Sequence, residues 1–269
     1  MAVLGDTTTA GDEPMREDGS SPTVILDGVT RVFRGRGDRD AVTAVNNVTV
    51  SLPAGQTVAL TGPAGSGKST VLNVIAGIER PDTGTVIVGG VRPAELSARR
   101  AAAFRRRIGF VSGDAELVAA LTVLDNVVFP LLLERSAELP RRADRQQRAL
   151  TLVDAVGLGS YANAPLARLS GAQRRLVVVA RAMVNWPALV LADEPASSLD
   201  RDAAAVLDVL LRLVRQQGST LVLATRDDTV AVRCRRVIGL RKGTVVADHL
   251  DDTAPEAVRR WVNRSAPLG

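Results

Sequence analysis

The sequence predicts an α/β fold, a parallel sheet with helices packed on both faces. Three stretches carry that prediction. Ala188-Leu189-Val190-Leu191-Ala192 and Thr220-Leu221-Val222-Leu223-Ala224 are continuous apolar runs, the pattern of parallel strands covered on both sides. Ala203 to Gln217, lying between them, sets Leu and Val against Asp and Arg at helical spacing. Upstream, Val58-Ala59-Leu60 runs into a glycine-rich stretch and then into Val71-Leu72-Asn73-Val74-Ile75-Ala76. That order reads as a buried strand, a tight turn and a helix start.

Taken in order, residues 1–22 hold Asp6, Asp12, Glu13, Glu17 and Asp18 among Gly, Ser, Thr and Pro. Such a segment buries too little apolar surface to offset its ordering entropy, so a disordered acidic tail is expected. Val24-Ile25-Leu26 with Val29 to Phe33, and Val48 to Leu52, read as two strands joined by the polar turn Arg34 to Asp40. They predict a small antiparallel sheet beside the parallel one. Gly84 to Gly90 is a short strand, Ser97 to Arg107 a basic helix, and Ile108-Gly109-Phe110-Val111 another strand. Leu121 to Leu133 and Asp144 to Val156 are helical, so residues 112–169 are expected to form a helical subdomain inserted in a core of 23–111 and 170–250. Val237 to Leu240 and Thr244 to Ala247 flank Lys242-Gly243 as a closing hairpin, and 251–269 is read as a tail with a short helix over 255–264.

Composition excludes several classes. The chain has 269 residues and one cysteine, Cys234, so no intrachain disulfide can form and a reducing compartment fits. No window is apolar enough to cross a membrane, and no basic-then-apolar leader opens the chain. A cytoplasmic chain is expected, peripheral on the inner face of the cell membrane and held there by a membrane subunit. Net charge is +5 and only Lys68 and Lys242 are lysines. The arginines are scattered with almost no aromatic interleaving, so no nucleic-acid partner is expected.

The stretch Gly62-Pro63-Ala64-Gly65-Ser66-Gly67-Lys68-Ser69-Thr70 has the spacing of a phosphate-binding loop. Its glycines let successive N–H groups point at one phosphate chain, at a helix N-terminus whose dipole favours the anion. Lys68 is expected to reach the β- and γ-phosphates and Ser69 to offer its hydroxyl to Mg²⁺. The second set of acids lies at Asp193-Glu194, closing an apolar strand. Asp193 is expected to serve the Mg²⁺ and Glu194 to polarise an attacking water.

Upstream of that strand, Leu169-Ser170-Gly171-Ala172-Gln173 resembles the LSGGQ signature of ABC-type ATPases, with Ala172 in place of the second glycine. The order of loop, signature and Asp-Glu strand end resembles that family across roughly residues 23–250. The run Leu121-Thr122-Val123-Leu124-Asp125-Asn126-Val127 before Pro130-Leu131 looks like its lipoprotein-releasing and macrolide-exporter (LolD/MacB) subgroup. The resemblance implies a P-loop ABC ATPase domain that binds ATP and Mg²⁺. It also implies Phe33 stacked on adenine and Ser198-Leu199-Asp200 crossing a dimer interface. ATP would be clamped between one subunit's loop and the other's Ser170-Gly171-Ala172-Gln173. It further implies a second ATPase subunit, like or unlike, and an integral membrane transporter subunit meeting a groove near Ser112 to Leu121, with export as the output. A regulatory subunit resembling FtsE is the alternative, and a DNA-associated ABC ATPase fits less well because the helical insertion is too short for that group's coiled coil.

Two positions depart from the family. Ser112-Gly113 stand where it has an aromatic and a glutamine, with Asp114 next door. Arg226 stands where it has a histidine contacting the γ-phosphate; the lone histidine, His249, lies beyond the hairpin. Arg226 keeps a planar donor fork for phosphate but cannot take part in proton transfer. Intact nucleotide binding and slow hydrolysis at this chain's own site are the expectation.

Overall fold

The computed structural model describes residues 24–35, 41–112, 117–133, 142–196 and 201–250. Two sheets share the molecule. β1 (Val24–Phe33), β2 (Val42–Leu52) and β4 (Thr83–Val88) form an antiparallel sheet in the order β2-β1-β4. β3 (Thr57–Thr61), β5 (Ile108–Ser112), β6 (Leu189–Asp193), β7 (Thr220–Thr225), β8 (Arg236–Arg241) and β9 (Thr244–Leu250) form the second, in the order β5-β6-β7-β3-β8-β9. Its neighbours run parallel except β9, which folds back on β8 as a hairpin. The continuous apolar sequence of β7 has its reason here: all six of its residues are buried.

The antiparallel sheet differs from the sequence reading in two ways. It has a third strand, β4, and β2 begins at Val42 rather than Val48. The Val42–Asn47 half of β2 lacks a clean two-residue alternation because register shifts interrupt its pairing with β1 between Leu26 and Val32. A period-two signal fades across such irregularities.

α1 (Lys68–Ile75) buries Val71, Leu72, Val74 and Ile75 in a core shared with Val24, Leu26, Val50 and Leu52 of the small sheet and Leu60, Leu191, Val222 and Ile238 of the large one. The helix that opens at the glycine-rich loop is therefore clamped between the sheets. α2 (Ala98–Arg106) starts at Ser97, whose hydroxyl accepts the Arg100 N–H. On the far side, α3 (Val123–Leu132), α4 (Arg142–Ala155), α5 (Gly171–Met183) and α6 (Arg201–Gln217) pack into a second core around Leu152, Val177, Leu207, Leu210 and Leu223. A short α7 (Asp228–Ala231), absent from the sequence reading, follows β7 and is capped by Asp227, which accepts the Thr229 N–H. Four residues offer too little periodicity to be read. Cys234 is buried in the second core, and burial pushes its thiol up to about 12, which makes it inert at neutral pH.

The start of α3 hangs on one buried side chain. Asn126 donates to the carbonyls of Val118 (3.2 Å) and Thr122 (2.9 Å) and accepts the Val118 N–H at 2.8 Å. It is 1% exposed, so no water can replace those partners. Asn126→Ala is expected to lower unfolding stability by about 2–3 kcal/mol, the cost of stranding buried polar groups. Urea denaturation of both forms measures it; a loss under about 0.5 kcal/mol, the range of a bland surface change, contradicts this account of the segment.

Candidate functional site

Three neighbouring strands, β6, β7 and β3, end at the same edge of the large sheet. Their register pairs Thr61 with Thr225 and Asp193 with Ala224, and β5 brings Ser112 alongside Asp193. In an open parallel sheet the crevice outside the carboxyl ends of the strands is where ligands bind. The glycine-rich loop is thereby delivered to Asp193-Glu194 and Arg226, more than a hundred residues away in the chain.

The loop is shaped by backbone contacts on its outer side. A Cβ on Gly62 (φ 148°) would lie 2.1 Å from the Leu240 carbonyl oxygen, and one on Gly67 (φ 100°) 2.1 Å from that of Ala44. Glycine is required at both. Ser66 is buried, and its carbonyl accepts the Gly243 N–H at 3.0 Å while the Gly243 carbonyl accepts the Asn46 N–H at 2.9 Å. The turn of the β8–β9 hairpin is thus inserted between β2 and the loop and holds its curvature.

Lys68 opens α1, directly after Gly67. Its ammonium donates to the carbonyls of Gly62 (2.7 Å) and Pro63 (3.0 Å) and to Ser66 Oγ (3.3 Å). Burial holds its pKa below the usual lysine value, with Arg226 acting the same way and Glu194 and Asp193 opposing. Lysine still has three rotatable donors on a flexible stem, so it can exchange loop carbonyls for phosphate oxygens. Ser69 follows it with an exposed side chain.

Asp193 Oδ1 is buried with no hydrogen-bond partner among the described residues. A buried carboxylate oxygen left this way needs a cation or an ordered donor. A carboxylate oxygen and a serine hydroxyl such as that of Ser69 are hard donors of the kind Mg²⁺ takes.

Glu194 has a left-handed backbone (φ 46°), held by its N–H donating to the Ala224 carbonyl at 2.9 Å. A non-glycine residue in that region costs about 1–2 kcal/mol, and such strain clusters at functional sites. Its carboxylate is already engaged. Oε1 accepts Arg226 Nε at 3.1 Å, and Oε2 accepts the Arg226 N–H at 3.4 Å and Thr225 Oγ1 at 3.5 Å. The residue in the histidine position is therefore ion-paired to the expected base. At the foot of the site Thr61 Oγ1 donates to Asp228 Oδ1 at 3.3 Å, and burial pushes the Asp228 carboxyl above the usual carboxylate range.

Other expected residues lie apart from this cluster. Ser170 caps α5 in a reciprocal box: its hydroxyl accepts the Gln173 N–H at 3.2 Å, and its own N–H donates to Gln173 Oε1 at 2.9 Å. A Cβ on Gly171 would meet nothing within 4 Å. Packing among the described residues therefore gives no reason for that glycine, whereas an outside group approaching Ser170-Gly171-Ala172 closely would. Phe33 ends β1, 39% exposed, with the Arg31 guanidinium 4.8 Å over one ring face. Arg31 is itself held by Glu79 at 2.7 Å. Gly113, Asp114, Ser198 and Asp200, like the acidic tail and the expected 255–264 helix, lie outside the described residues.

Sequence reasoning missed the outer supports of the loop, Ala44, Leu240 and Gly243, and the Thr61–Asp228 contact. A backbone carbonyl has no signature in sequence, though the Lys242-Gly243 turn was legible as a hairpin.

Residues 45–197 match the family described as ABC transporter. Two relatives are lipoprotein-releasing system ATP-binding proteins: LolD 1 of Caulobacter vibrioides, 38% identical over 83% of this chain and 94% of its own, and LolD of Anaeromyxobacter dehalogenans, 40% identical over 87% and 97%. The macrolide export ATP-binding/permease protein MacB of Burkholderia pseudomallei is 35% identical over 88% of this chain, but the match spans only 37% of its length. A solved dimeric ATP-binding cassette in a post-hydrolysis state, bound to ADP and Pi, superposes with a TM-score of 0.76 at 34% identity, over 84% of this chain and 98% of that one.

Lys68→Ala removes the one buried ammonium at the loop while sparing its backbone. Mg-ATP affinity measured by titration calorimetry should fall by about 2–3 kcal/mol, roughly 30- to 150-fold. Equal affinities in the two forms would contradict the assignment of the loop.

Proposed function

The chain belongs to the ABC transporter family, and from that premise we propose that it is the ATP-binding subunit of a LolD/MacB-type exporter. Residues 23–250 are its ATPase domain, with 112–169 as the helical subdomain that meets an integral membrane partner on the inner face of the membrane. The observation that carries this reading is the meeting of Lys68, Asp193 and Glu194 beyond the carboxyl ends of β3 and β6, which flank β7, with Ser170 and Gly171 presented at the start of α5.

In this reading the loop N–H groups from Gly62 to Thr70 and the Lys68 ammonium bind the triphosphate, and Phe33 stacks the adenine. Ser69 and Asp193 hold the Mg²⁺, which supplies charge neutralisation at the phosphates when bound. Glu194 orients the water that attacks in line. A second ATPase subunit presents its own signature, Ser170 to Gln173 if the pair is alike, to this chain's ATP. Ser198 and Asp200 lie at the crossing between the two. ATP binding favours the closed pair and product release the open one, and the membrane partner follows that two-state change.

A surface suited to the partner lies on α3. Phe129, Leu132 and Leu133 share one helical face and stay exposed, beside a groove lined by Arg99, Ala102, Arg105, Arg106 and Leu133. Leu117, in the stretch where the sequence suggested docking, packs against the helical core instead. An apolar ridge rimmed by arginines suits a partner segment with acidic and apolar residues. Leu133→Glu should release the protein from membranes carrying its partner while leaving Mg-ATP affinity within about threefold, read by fractionation and calorimetry; unchanged fractionation would place docking elsewhere.

Gly113 carries no side chain to position water, and Arg226 cannot shuttle a proton. Loss of such groups costs about 10²–10³ in rate. Against an ordinary enzyme turnover of about 10 s⁻¹, the purified chain should release phosphate at roughly 0.01–0.1 s⁻¹. Gly113→Gln combined with Arg226→His should raise that rate. A purified chain that already turns over at about 10 s⁻¹ would show these substitutions to be harmless.

A further inference from the structure

The carboxylate expected to act on water is not presented to the crevice as a free base. Glu194 is bonded through both oxygens to Arg226 and Thr225, and the bond from Arg226 Nε is an ion pair at 3.1 Å. The backbone reinforces it: the left-handed turn at Glu194 and its N–H bond to the Ala224 carbonyl aim the side chain across the β6–β7 boundary. We infer that Arg226 is a positioning residue that restrains Glu194, braking hydrolysis while leaving nucleotide binding in place. The inference rests on the ATPase reading above and concerns the same site.

The surrounding charges leave this task to Arg226. Lys68, the other nearby cation, donates to Gly62, Pro63 and Ser66. Asp227 caps α7 and Asp228 accepts from Thr61, so neither acid draws the guanidinium away. Asp193 Oδ1 has no hydrogen-bond partner among the described residues. A guanidinium offers a rigid fork of donors, which matches a carboxylate better than the single N–H of a neutral imidazole. Hydrolysis requires Glu194 to turn its lone pairs to a water, and an oxygen already accepting a charge-assisted bond must first give that bond up. Affinity does not depend on this step, because the loop and Lys68 hold the triphosphate in the proposed reading and Arg226, expected from sequence to reach phosphate, is bonded to Glu194 instead.

The restraint is a charge effect, which a charge series at one position separates from a packing effect. Phosphate release at saturating Mg-ATP and Mg-ATP affinity by calorimetry are measured for the parent, Arg226→Gln and Arg226→Lys. Arg226 has a side chain 58% exposed, so the substitutions spare the core, and thermal melting verifies this. Arg226→Gln should raise kcat about tenfold with Kd changed less than about threefold, and Arg226→Lys, which keeps the cation, should stay within about threefold of the parent. A kcat in Arg226→Gln at or below the parent's overturns the brake, and so does an equal rise in both variants, which would mean that charge is not the restraint. Loss of Mg-ATP binding in the parent itself would instead overturn the ATPase reading.

Discussion

A phosphate-binding loop works only if its backbone stays curled with its N–H groups facing one way, and curling a chain that tightly needs support from outside. In this protein the support is backbone against backbone. The carbonyls of Leu240 and Ala44 occupy the space where side chains on Gly62 and Gly67 would lie, and the Gly243 turn bonds the loop to β2. That single constraint ties together elements from both sheets. β2 must lie beside the loop, the β8–β9 hairpin must close against it, and α1 must start at Lys68 with its apolar face sealed between the sheets. Disturbing any of these would loosen the loop before it touched a ligand.

Charge is organised around the same point. One buried ammonium, two strand-end carboxylates and one guanidinium share the crevice, and each depends on the others' placement. Lys68 is satisfied by carbonyls that it can exchange for phosphate oxygens. Asp193 keeps an oxygen without a donor, as a metal-facing acid does. Glu194 and Arg226 neutralise each other. In the proposed reading, attraction for the triphosphate stays with the loop while the reactive carboxylate is engaged by Arg226.

Much of this was legible in the residues. The spacing from Gly62 to Thr70 declared the loop, because only a phosphate cradle needs that glycine pattern between a buried strand and a helix. The apolar runs of β6 and β7 marked parallel strands, and Asp193-Glu194 at the end of one of them marked a site. The replacement of histidine by Arg226 was equally plain, but its consequence was not. A sequence places Arg226 and Glu194 just beyond the ends of separate strands and says nothing of their register, and only the β6–β7 pairing makes them neighbours. The pairing of β4, itself read as a strand, with β1 in the small sheet, the early start of β2 and the hairpin's grip on the loop were illegible for the same reason: each depends on irregular pairing or on main-chain atoms that every residue carries.

The most direct test of the account is a crystal structure of the chain with Mg²⁺ and a non-hydrolysable ATP analogue. The account predicts the triphosphate wrapped by Gly62 to Thr70, Lys68 Nζ moved from the carbonyls of Gly62 and Pro63 to the phosphate oxygens, the metal between Ser69 and Asp193, and Arg226 still paired with Glu194. A nucleotide bound away from the loop would contradict the site itself. A Glu194 carboxylate turned away from Arg226 and bonded to a water in line with the γ-phosphate would contradict the restraint on its chemistry.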